Sequence, residues 1–401
     1  MSATEPRATT ITLDDAVARA GELVPRLRER AARAEELRRL PDETLRDFQE
    51  SGLLRLMQPR RWGGYELGFD ANAACSAELG RACGSSAWIF SFLVNHAWFV
   101  SLWPEQAQQE VWGAGPDVLI STSVTPGHEP PDRADGGYRL HGKWPFASGC
   151  DFGEWHVVGG LLFPEDHQGP PEMRWFLLPR SDYEIEDDWD AVAMRGSGSK
   201  TVVIRDAFVP EHRSVNVADL LEGQAPGTQV NTATQYRLPL LSCWPLTLIG
   251  PGLGVAQGAL ETFQEAMRAK LVSFTTDQMN QYLPTQIRVA ESAAEIDCAR
   301  LLIRESMETM MTHDPDGGRP LTLEQRARNW RNFAYSLQLC TRAVDRLFEA
   351  SGGGGLYNRN PIQRYWRDIH GVAAHGILHW DPAAEHFGRI ALGLGPKGFF
   401  R

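Results

Sequence analysis

The spacing of apolar and polar residues changes twice along the chain and divides it into three regions. From Thr12 to about Gly115, apolar residues recur every three to four positions, which is typical of amphipathic helices. Thr12 and Asp15 form a cap for the first helix, and Pro41 and Gly52 suit the start and the end of a second. Two further helices are predicted over residues 71–81 and 85–103.

The middle of the chain has the sequence pattern of short β-strands. Between about Asp117 and Pro210, Gly, Pro and Asp separate the runs VLISTSV, YRLHGKW, EWHVVGGLL, RWFLLP and KTVVIRDAFV. No helical segment lies between them, which disfavours βαβ units and a parallel sheet. The pattern therefore predicts a β-sandwich or β-barrel.

Helical spacing returns from about Leu248. Thr322 and Gln325 have the spacing of a capping box. One face of a predicted helix carries Ile287, Ala290, Ala294, Cys298, Leu301 and Leu302. We therefore expect an α+β chain divided into residues 1–116, 117–229 and 230–401, in the order helices, strands, helices.

Composition excludes several classes of function. Forty Lys and Arg residues against 51 Asp and Glu give a net charge of −11 without basic clusters, so nucleic-acid binding is not expected. The six cysteines are scattered and form no CxxC pair, which disfavours a disulfide framework and a zinc ribbon. The first residues lack the apolar core of a signal peptide, and the apolar run 88–100 is too short to span a membrane. A cytoplasmic protein without membrane contact is predicted.

Several motifs fail on inspection. GPGLGVAQG (250–258) has its third glycine one residue late for a dinucleotide fingerprint, and GSGSKT (196–201) lacks the Gly-Lys pair of a phosphate loop. No nucleophile elbow is present. His375 and His379 have helical spacing for two metal ligands, but no second cluster supplies the others, so no metal site is predicted.

The turn at 142–149 is the strongest candidate for chemistry. It follows a predicted strand and contains Trp144, Phe146 and Ser148 beside glycines. Aromatic faces and a hydroxyl suit a flat polar heterocycle. A buried Trp-Phe pair followed by an ordinary Ser-Gly turn explains the same residues, and spacing alone leaves both interpretations open.

The chain as a whole resembles the acyl-CoA dehydrogenase superfamily, and within it the oxygenase components of two-component flavin-dependent monooxygenases. The resemblance rests on motifs in a fixed order: Gly52-Leu53 with Pro59 and Trp62-Gly63-Gly64, then Gly142 to Gly149, then Met194 to Ser199 leading to Val209-Pro210-Glu211, then Gly352-Gly353 and Tyr365-Trp366-Arg367-Asp368. It implies an N-terminal helical domain, a central β-barrel or sandwich domain and a C-terminal four-helix bundle, assembled as a homotetramer.

The resemblance also implies a flavin between the β domain and the bundle, touched by a neighbouring subunit. By this match, Trp144 and Ser148 face the flavin ring, and Ser148 is the hydrogen-bond partner of its reactive nitrogen. Ser121 and Ser123 flank the same pocket. Gly352 and Gly353 let the backbone approach the phosphate side of the cofactor. Trp88, Trp98 and Trp144 are expected to be walls of a dry cavity.

The catalytic residues implied by the resemblance are His375, Ser148 and His96. Where dehydrogenases often carry a catalytic Glu, this chain has Ala374-His375-Gly376, and His375 matches a histidine that monooxygenases place near the flavin. His96 matches a histidine that contacts a phenolic oxygen, although a packed histidine with one backbone partner is an equal alternative. An imidazole assists proton movement and stabilises developing negative charge.

The implied reaction is hydroxylation of an aromatic, phenolic small molecule through a C4a-hydroperoxyflavin formed from reduced flavin and molecular oxygen. Reduced FMN is the first candidate cofactor and FAD the second, supplied by a separate NAD(P)H-dependent flavin reductase. Oxygenation of nitrogen or sulfur on the same scaffold, for example of an amino sugar, is an alternative. Acyl-CoA dehydrogenation and a non-catalytic flavin-binding role are further alternatives.

Overall fold

The computed structural model describes residues 11–164, 168–272 and 275–397. Its α-helices are α1 (Leu13–Leu37), α2 (Asp42–Glu50), α3 (Phe69–Gly80), α4 (Gly84–Val100), α5 (Glu105–Trp112), α6 (Val217–Leu221), α7 (Leu240–Cys243), α8 (Pro245–Ala269), α9 (Leu283–Met311), α10 (Leu323–Ser351), α11 (Ile362–Ala373) and α12 (Trp380–Ala391). Its strands are β1 (Ile120–Pro126), β2 (Asp132–Ala134), β3 (Gly137–Ala147), β4 (Trp155–Leu162), β5 (Glu172–Pro179), β6 (Glu184–Glu186), β7 (Lys200–Pro210) and β8 (Ser214–Asn216).

The predicted order of helices, strands and helices is confirmed. The local signals act as expected: Thr12 and Asp15 form a full capping box, and so do Thr322 and Gln325. The predicted boundaries at 116/117 and 229/230 both fall outside α-helices and strands. The division into three domains stays a prediction.

The β region consists of two four-stranded sheets, ordered β1-β4-β5-β8 and β2-β3-β7-β6. All five predicted strands are present, together with three short strands that the sequence pattern missed. The expectation against parallel pairing is wrong at one place, because β1 runs parallel to β4 with Ile120 opposite Trp155. The chain crosses over between them through β2 and β3 of the other sheet, so no helix is needed to make the connection.

Residues along β4 alternate between two cores. Val157 packs with the helices, and Val158 packs between the two sheets. The neighbouring strand β5 alternates in the same way, with Leu177 toward the helices and Phe176 between the sheets. The sheet of β1, β4, β5 and β8 is therefore covered on both faces, and its helix-facing side meets the N-terminal helices.

Helix α4 lies at the centre of the molecule. All 17 of its residues are buried, and it contacts α3, α8 and β1. A helix that is apolar all round has no side free for water and is buried as a consequence. Helix α4 thus touches both the β region and the C-terminal helices, and its side chains line the boundary between them.

The C-terminal helices α8, α9, α10 and α11 pack against one another. The segment Leu240–Ala269 is long and apolar enough to cross a membrane, but 78% of its most apolar window is buried inside the protein. Helix α9 buries Ile296, Ala299 and Ile303. The apolar face predicted from the sequence, carried by Ile287, Ala290, Ala294, Cys298 and Leu301, lies outward and exposed in the single chain, and Leu302 is partly buried.

Candidate active site

A row of aromatic side chains runs along one side of α4. The rings of Trp88, Phe92, His96 and Phe99 follow one another with centroid separations of 4.9, 5.3 and 5.8 Å. Their spacing of three and four residues places them on one helical face. All three predicted catalytic residues are connected through this row, because His96 belongs to it and Ser148 and His375 contact Trp88.

Trp88 joins Ser148 to His375. Its indole Nε1 donates to Ser148 Oγ over 3.2 Å, and its ring meets the imidazole of His375 edge-on with 5.8 Å between centroids. Trp88 belongs to α4, Ser148 to the turn after β3, and His375 to the segment after α11. Parts of the chain that are far apart in sequence therefore converge on one side chain, as the resemblance implies.

Ser148 is the first of three linked hydroxyls. Ser148 Oγ lies 2.8 Å from Ser199 Oγ, which lies 2.7 Å from Ser197 Oγ, and all three side chains are buried. A hydroxyl both donates and accepts, so this row can adjust to a heteroatom of a ligand. Sequence reasoning quoted Ser197 and Ser199 within a motif without giving them a role, because their contact with Ser148 spans about fifty residues.

The segment that carries Ser197 and Ser199 is fixed by α11. The backbone N–H of Met194 donates to Asp368 Oδ1 over 2.7 Å, and Arg367 donates to the carbonyl of Val192 over 2.8 Å. Met194 has a left-handed backbone with φ 52°, which is uncommon for a residue with a side chain. Burial raises the pKa of Asp368 to about 6. Helix α11 thus positions this segment and leads directly into His375.

His375 is a neutral imidazole in the isolated chain. Its Nδ1 accepts from the backbone N–H of Ile377 over 3.4 Å, so its proton is on Nε2. Although part of the side chain is exposed, desolvation lowers the pKa of His375 to about 4. At neutral pH the Nε2–H group is therefore a hydrogen-bond donor rather than a charged acid, which narrows the predicted role of this residue.

His96 is held between α4 and β1. Its Nδ1 donates to the carbonyl of Ile120 over 2.8 Å, and the hydroxyl of Thr122 donates to Nε2 over 3.0 Å. Complete burial lowers the pKa of His96 to about 3, so the ring is neutral. The bond to the Ile120 carbonyl agrees with the alternative of a packed histidine with one backbone partner. The second nitrogen, Nε2, accepts from a side-chain hydroxyl instead. Thr122 was not predicted, since its contact depends on how β1 packs on α4.

The structure does not bring every predicted residue to this row. Ser121 and Ser123 lie on the face of β1 opposite to Thr122; Ser121 Oγ is 2.7 Å from His156 Nδ1, and Ser123 Oγ is buried without a partner among the described residues. Trp144 is buried between the sheets, and its Nε1 donates to the carbonyl of Gly159 over 2.8 Å. Trp98 is also buried and donates to Gln235 O over 2.9 Å.

Gly352 and Gly353 lie in an exposed turn at the end of α10. Gly352 has φ 64°, and a Cβ added at Gly353 would meet no atom within 4 Å. The backbone here is open to a group from another molecule. A cavity of about 530 Å³ lies elsewhere, between α3, α8 and α9, and none of the predicted site residues lines it.

The residues around Ser148 fit a planar polar heterocycle in two respects. The three linked hydroxyls offer donors and acceptors, and Phe146, two residues before Ser148, is 69% exposed with φ 63°. A large exposed aromatic ring on a strained backbone is typical of a ligand-binding position. Phe146 is therefore not part of a buried Trp-Phe pair. Only Trp144 is a core residue, as the alternative interpretation of this turn expected.

The fold and the site define the class of protein. The family model described as "Acyl-CoA dehydrogenase, N-terminal domain" matches residues 16–115, and "Acyl-CoA dehydrogenase, C-terminal domain" matches residues 246–380. The crystal structure of 3-HSA hydroxylase from Rhodococcus sp. RHA1 superposes with a TM-score of 0.89 at 34% identity, covering 96% of this chain and 99% of that chain. The chain belongs to the acyl-CoA dehydrogenase superfamily.

Two relatives narrow the class. The oxygenase subunit HsaA of a flavin-dependent monooxygenase from Rhodococcus jostii (strain RHA1) is 35% identical over 377 residues, which is 93% of this chain and 97% of the relative. The oxygenase component of the FADH2-dependent resorcinol hydroxylase from Rhizobium sp. (strain MTP-10005) is 35% identical over 92% of both chains. The chain is thus a member of the oxygenase components of two-component flavin-dependent monooxygenases, and the predicted enzyme class is confirmed.

Proposed function

We propose that this protein hydroxylates a phenolic small molecule, with Ser148 and His375 at the flavin and His96 at the phenolic oxygen. The observation that carries the proposal is the position of Trp88, which donates to Ser148 and contacts His375. The same aromatic row leads from Trp88 through Phe92 to His96. A flat substrate packed along this row has a cofactor site at one end and a hydrogen-bonding pair at the other.

Reduced flavin, when bound, reacts with molecular oxygen and supplies an electrophilic oxygen atom. Ser148 would hold the reactive edge of the ring, supported by Ser199 and Trp88. Gly352 and Gly353 would meet the phosphate side from a neighbouring subunit. One relative is named for FADH2, so the assay below compares reduced FMN with FADH2. Ser121, Ser123 and Trp144, which the resemblance places at the flavin, face the space between the two sheets in the single chain and would support the β domain from inside.

The other residues assist substrate chemistry. His96 Nε2 accepts from the Thr122 hydroxyl in the single chain; when that hydroxyl turns away, the same nitrogen can accept a hydrogen bond from a phenol O–H and so raise the electron density of the ring. His375 Nε2–H is a donor that can stabilise negative charge as the oxygen atom is transferred. Helix α4 carries no Asp, Glu, Lys or Arg and is fully buried, which keeps water away from the reacting groups.

The pairing at His96 also favours one substrate class over the alternatives. A hydrogen-bond acceptor next to a hydroxyl suits a phenol O–H, whereas N- or S-oxygenation has no need of an acceptor at this place. For acyl-CoA dehydrogenation, the segment Ala374-His375-Gly376 supplies no carboxylate. Phenol hydroxylation is therefore our first candidate.

We infer two kinds of partner. The relatives are oxygenase components, so a separate NAD(P)H-dependent flavin reductase would deliver the reduced flavin in the cytoplasm. The chain itself would form a homotetramer, because the apolar side chains of Ile287 and Leu301 are 44% and 59% exposed along α9 and the Gly352 turn is open. A row of exposed apolar residues on one helix is typical of a surface that a second chain covers.

The test mixes protein and reduced FMN or FADH2, prepared without oxygen, with oxygenated buffer in a stopped-flow spectrometer. A transient absorbance distinct from reduced and oxidised flavin is expected, followed by hydroxylated phenol. His375→Ala should lower the yield of product at least about tenfold and raise that of hydrogen peroxide. His379→Ala, four residues away, is the control. Equal yields from wild type and His375→Ala would remove His375 from the mechanism, and oxidation of an acyl-CoA would favour the dehydrogenase.

A further inference from the structure

Three buried polar groups beside the aromatic row have no hydrogen-bond partner among the described residues. Both polar atoms of the Asn95 side chain are in this state, as are Thr247 Oγ1 and Trp244 Nε1. Asn95 and Thr247 are fully buried. Buried donors and acceptors in folded proteins are almost always paired, so each of these groups needs an explanation.

The helical repeat of α4 directs Asn95 toward the segment that carries Trp244 and Thr247. Ser91, one turn before Asn95, donates to the carbonyl of Thr247 over 2.5 Å. Phe99, one turn after Asn95, packs edge-on against Trp244 with 5.6 Å between ring centroids. Since residues four apart lie on the same side of a helix, Asn95 is directed between these two contacts, toward the start of α8.

The side chains of Asn95 and His96 therefore lie on different sides of α4. His96 reaches β1 through Ile120 and Thr122, and Asn95 faces α8. Both flank the row formed by Phe92 and Phe99. A substrate packed on this row would meet the polar group of His96 on one side and that of Asn95 on the other.

The chemistry of the second side is uncharged. Neither α4 nor residues 240–253 contain an Asp, Glu, Lys or Arg. The Asn95 amide both donates and accepts, the Thr247 hydroxyl does the same, and the Trp244 indole donates. A ketone carbonyl or a hydroxyl would satisfy these groups, whereas a carboxylate would be buried without a counter-charge.

We propose that Asn95, with Thr247 and Trp244, binds a second, uncharged hydrogen-bonding group of the aromatic substrate and selects for it. This inference rests on the proposed function, because it concerns the same site. Asn95 is a specificity-determining residue in this arrangement. The proposed site therefore requires a substrate with two polar groups, which are a phenolic hydroxyl and a neutral carbonyl or hydroxyl.

The test uses three phenols of similar size: 4-hydroxyacetophenone with a ketone, 4-isopropylphenol with an apolar group, and 4-hydroxybenzoate with a carboxylate. Wild type should favour the ketone over both others in kcat/KM. Asn95→Leu, which keeps the number and branching of the side-chain heavy atoms, should reduce the ratio of ketone to isopropyl activity about tenfold, the effect of one lost hydrogen bond. Thr247→Val should reduce it in the same direction.

Thr44→Val is the matched control. The Thr44 hydroxyl in α2 is likewise buried without a partner among the described residues, but it lies outside the site. This variant should keep the wild-type ratio. Because Thr247→Val removes a hydroxyl without changing shape, it decides the matter even if Asn95→Leu fails to fold.

Binding to the flavin-free protein separates this inference from the proposed function. 4-Hydroxyacetophenone should raise the Tm of wild type more than that of Asn95→Leu. If this difference appears but wild type forms no hydroxylated product, the proposed function fails and the binding site stands. If wild type hydroxylates phenols without preferring the ketone, or if Asn95→Leu and Thr247→Val keep its preference, the inference is overturned.

Discussion

The indole N–H of Trp88 donates to the hydroxyl of Ser148 across 3.2 Å, which ties helix α4 to the turn at the end of β3. Trp88→Phe keeps an aromatic ring against His375 but removes this donor. Ser148 then loses one of its two fixed partners, and we expect several times more hydrogen peroxide per hydroxylated product. The measurement is the ratio of the two products, with reduced flavin in excess.

Trp98→Phe is the control for this change. The Trp98 indole is also buried in α4, but it donates to the carbonyl of Gln235. Both substitutions should lower the free energy of unfolding by about 1 kcal/mol. If both variants release peroxide equally, the contact between Trp88 and Ser148 has no special part in coupling.

Stability should depend on pH through three histidines that folding shields from water. Burial lowers the pKa of His96 and His156 to about 3 and that of His375 to about 4, all from an ordinary value of 6.5. The unfolded chain then binds more protons than the folded chain below pH 6.5, so stability is lost as pH falls. At pH 5.5, each histidine should lower the free energy of unfolding by about 1.4 kcal/mol relative to its value well above pH 6.5.

His156→Gln isolates one of these contributions. His156 contacts Ser121 and Tyr183 inside the β domain and makes no contact with the aromatic row, so the substitution leaves the catalytic groups in place, and only a charge on His96 adds to the effect of burial on its pKa. We expect the loss of unfolding free energy between pH 7.5 and 5.5 to be about 1.4 kcal/mol smaller than in wild type. Denaturant titrations at the two pH values measure it, and identical losses would show that His156 takes up its proton when folded.

Asp368 should have the opposite pH dependence. Its pKa is raised from 3.8 to about 6, chiefly by burial, so the folded chain holds the proton more tightly and stability falls as pH rises from about 4 to 6. Asp368→Asn removes this ionisation and keeps an oxygen for the N–H of Met194. We expect it to be at least as stable as wild type at pH 7.5.

Asp368→Leu is the matched variant that loses the oxygen. Leaving the Met194 N–H without a partner should cost about 1 to 3 kcal/mol. Because Met194 leads to Ser199, peroxide release should rise in the Leu variant and stay near the wild-type value in the Asn variant. A lower Tm for Asn than for Leu would contradict this account of the contact.

The exposed row on α9 gives a prediction about assembly. Leu301 is 59% exposed, and Leu301→Glu places a charge on a surface that we expect a second subunit to cover. Sedimentation velocity should show a tetramer for wild type and smaller species for the variant, with weaker flavin binding. Phe208→Glu, on the outer face of β7 at 43% exposure, serves as the control. A monomeric wild type would contradict the homotetramer.

Local signals in the sequence predicted local structure well. The capping pairs at Thr12 and Thr322 need only residues three positions away, and both formed as expected. The period also predicted the helix α9, but the expected packed face is wrong, because it lies outward and Ile296, Ala299 and Ile303 on the opposite side are buried. A sequence pattern identifies an apolar face without saying whether the same chain or another one covers it.

Contacts between distant segments could not be predicted in the same way. His96 meets Thr122 because β1 packs on α4, and Ser148 meets Ser199 because the segment before β7 is held by α11. Trp144 was expected at the flavin from its place in a motif, but the alternation of β3 turns its ring into the space between the sheets. The resemblance located the site, and the packing decided which side chains face it.

The complete burial of α4 bears on how a small molecule enters and leaves. Every residue of this helix is enclosed by other elements. An outward displacement of α4 would therefore expose its whole apolar surface to water, at a large cost in free energy. A small molecule that reaches the aromatic row without displacing α4 has to approach it from one end, and the partly exposed His375 lies at the Trp88 end. His375 is also a residue that we place at the chemistry, so substrate entry at this end and the exclusion of water from the reaction would depend on the same side chain.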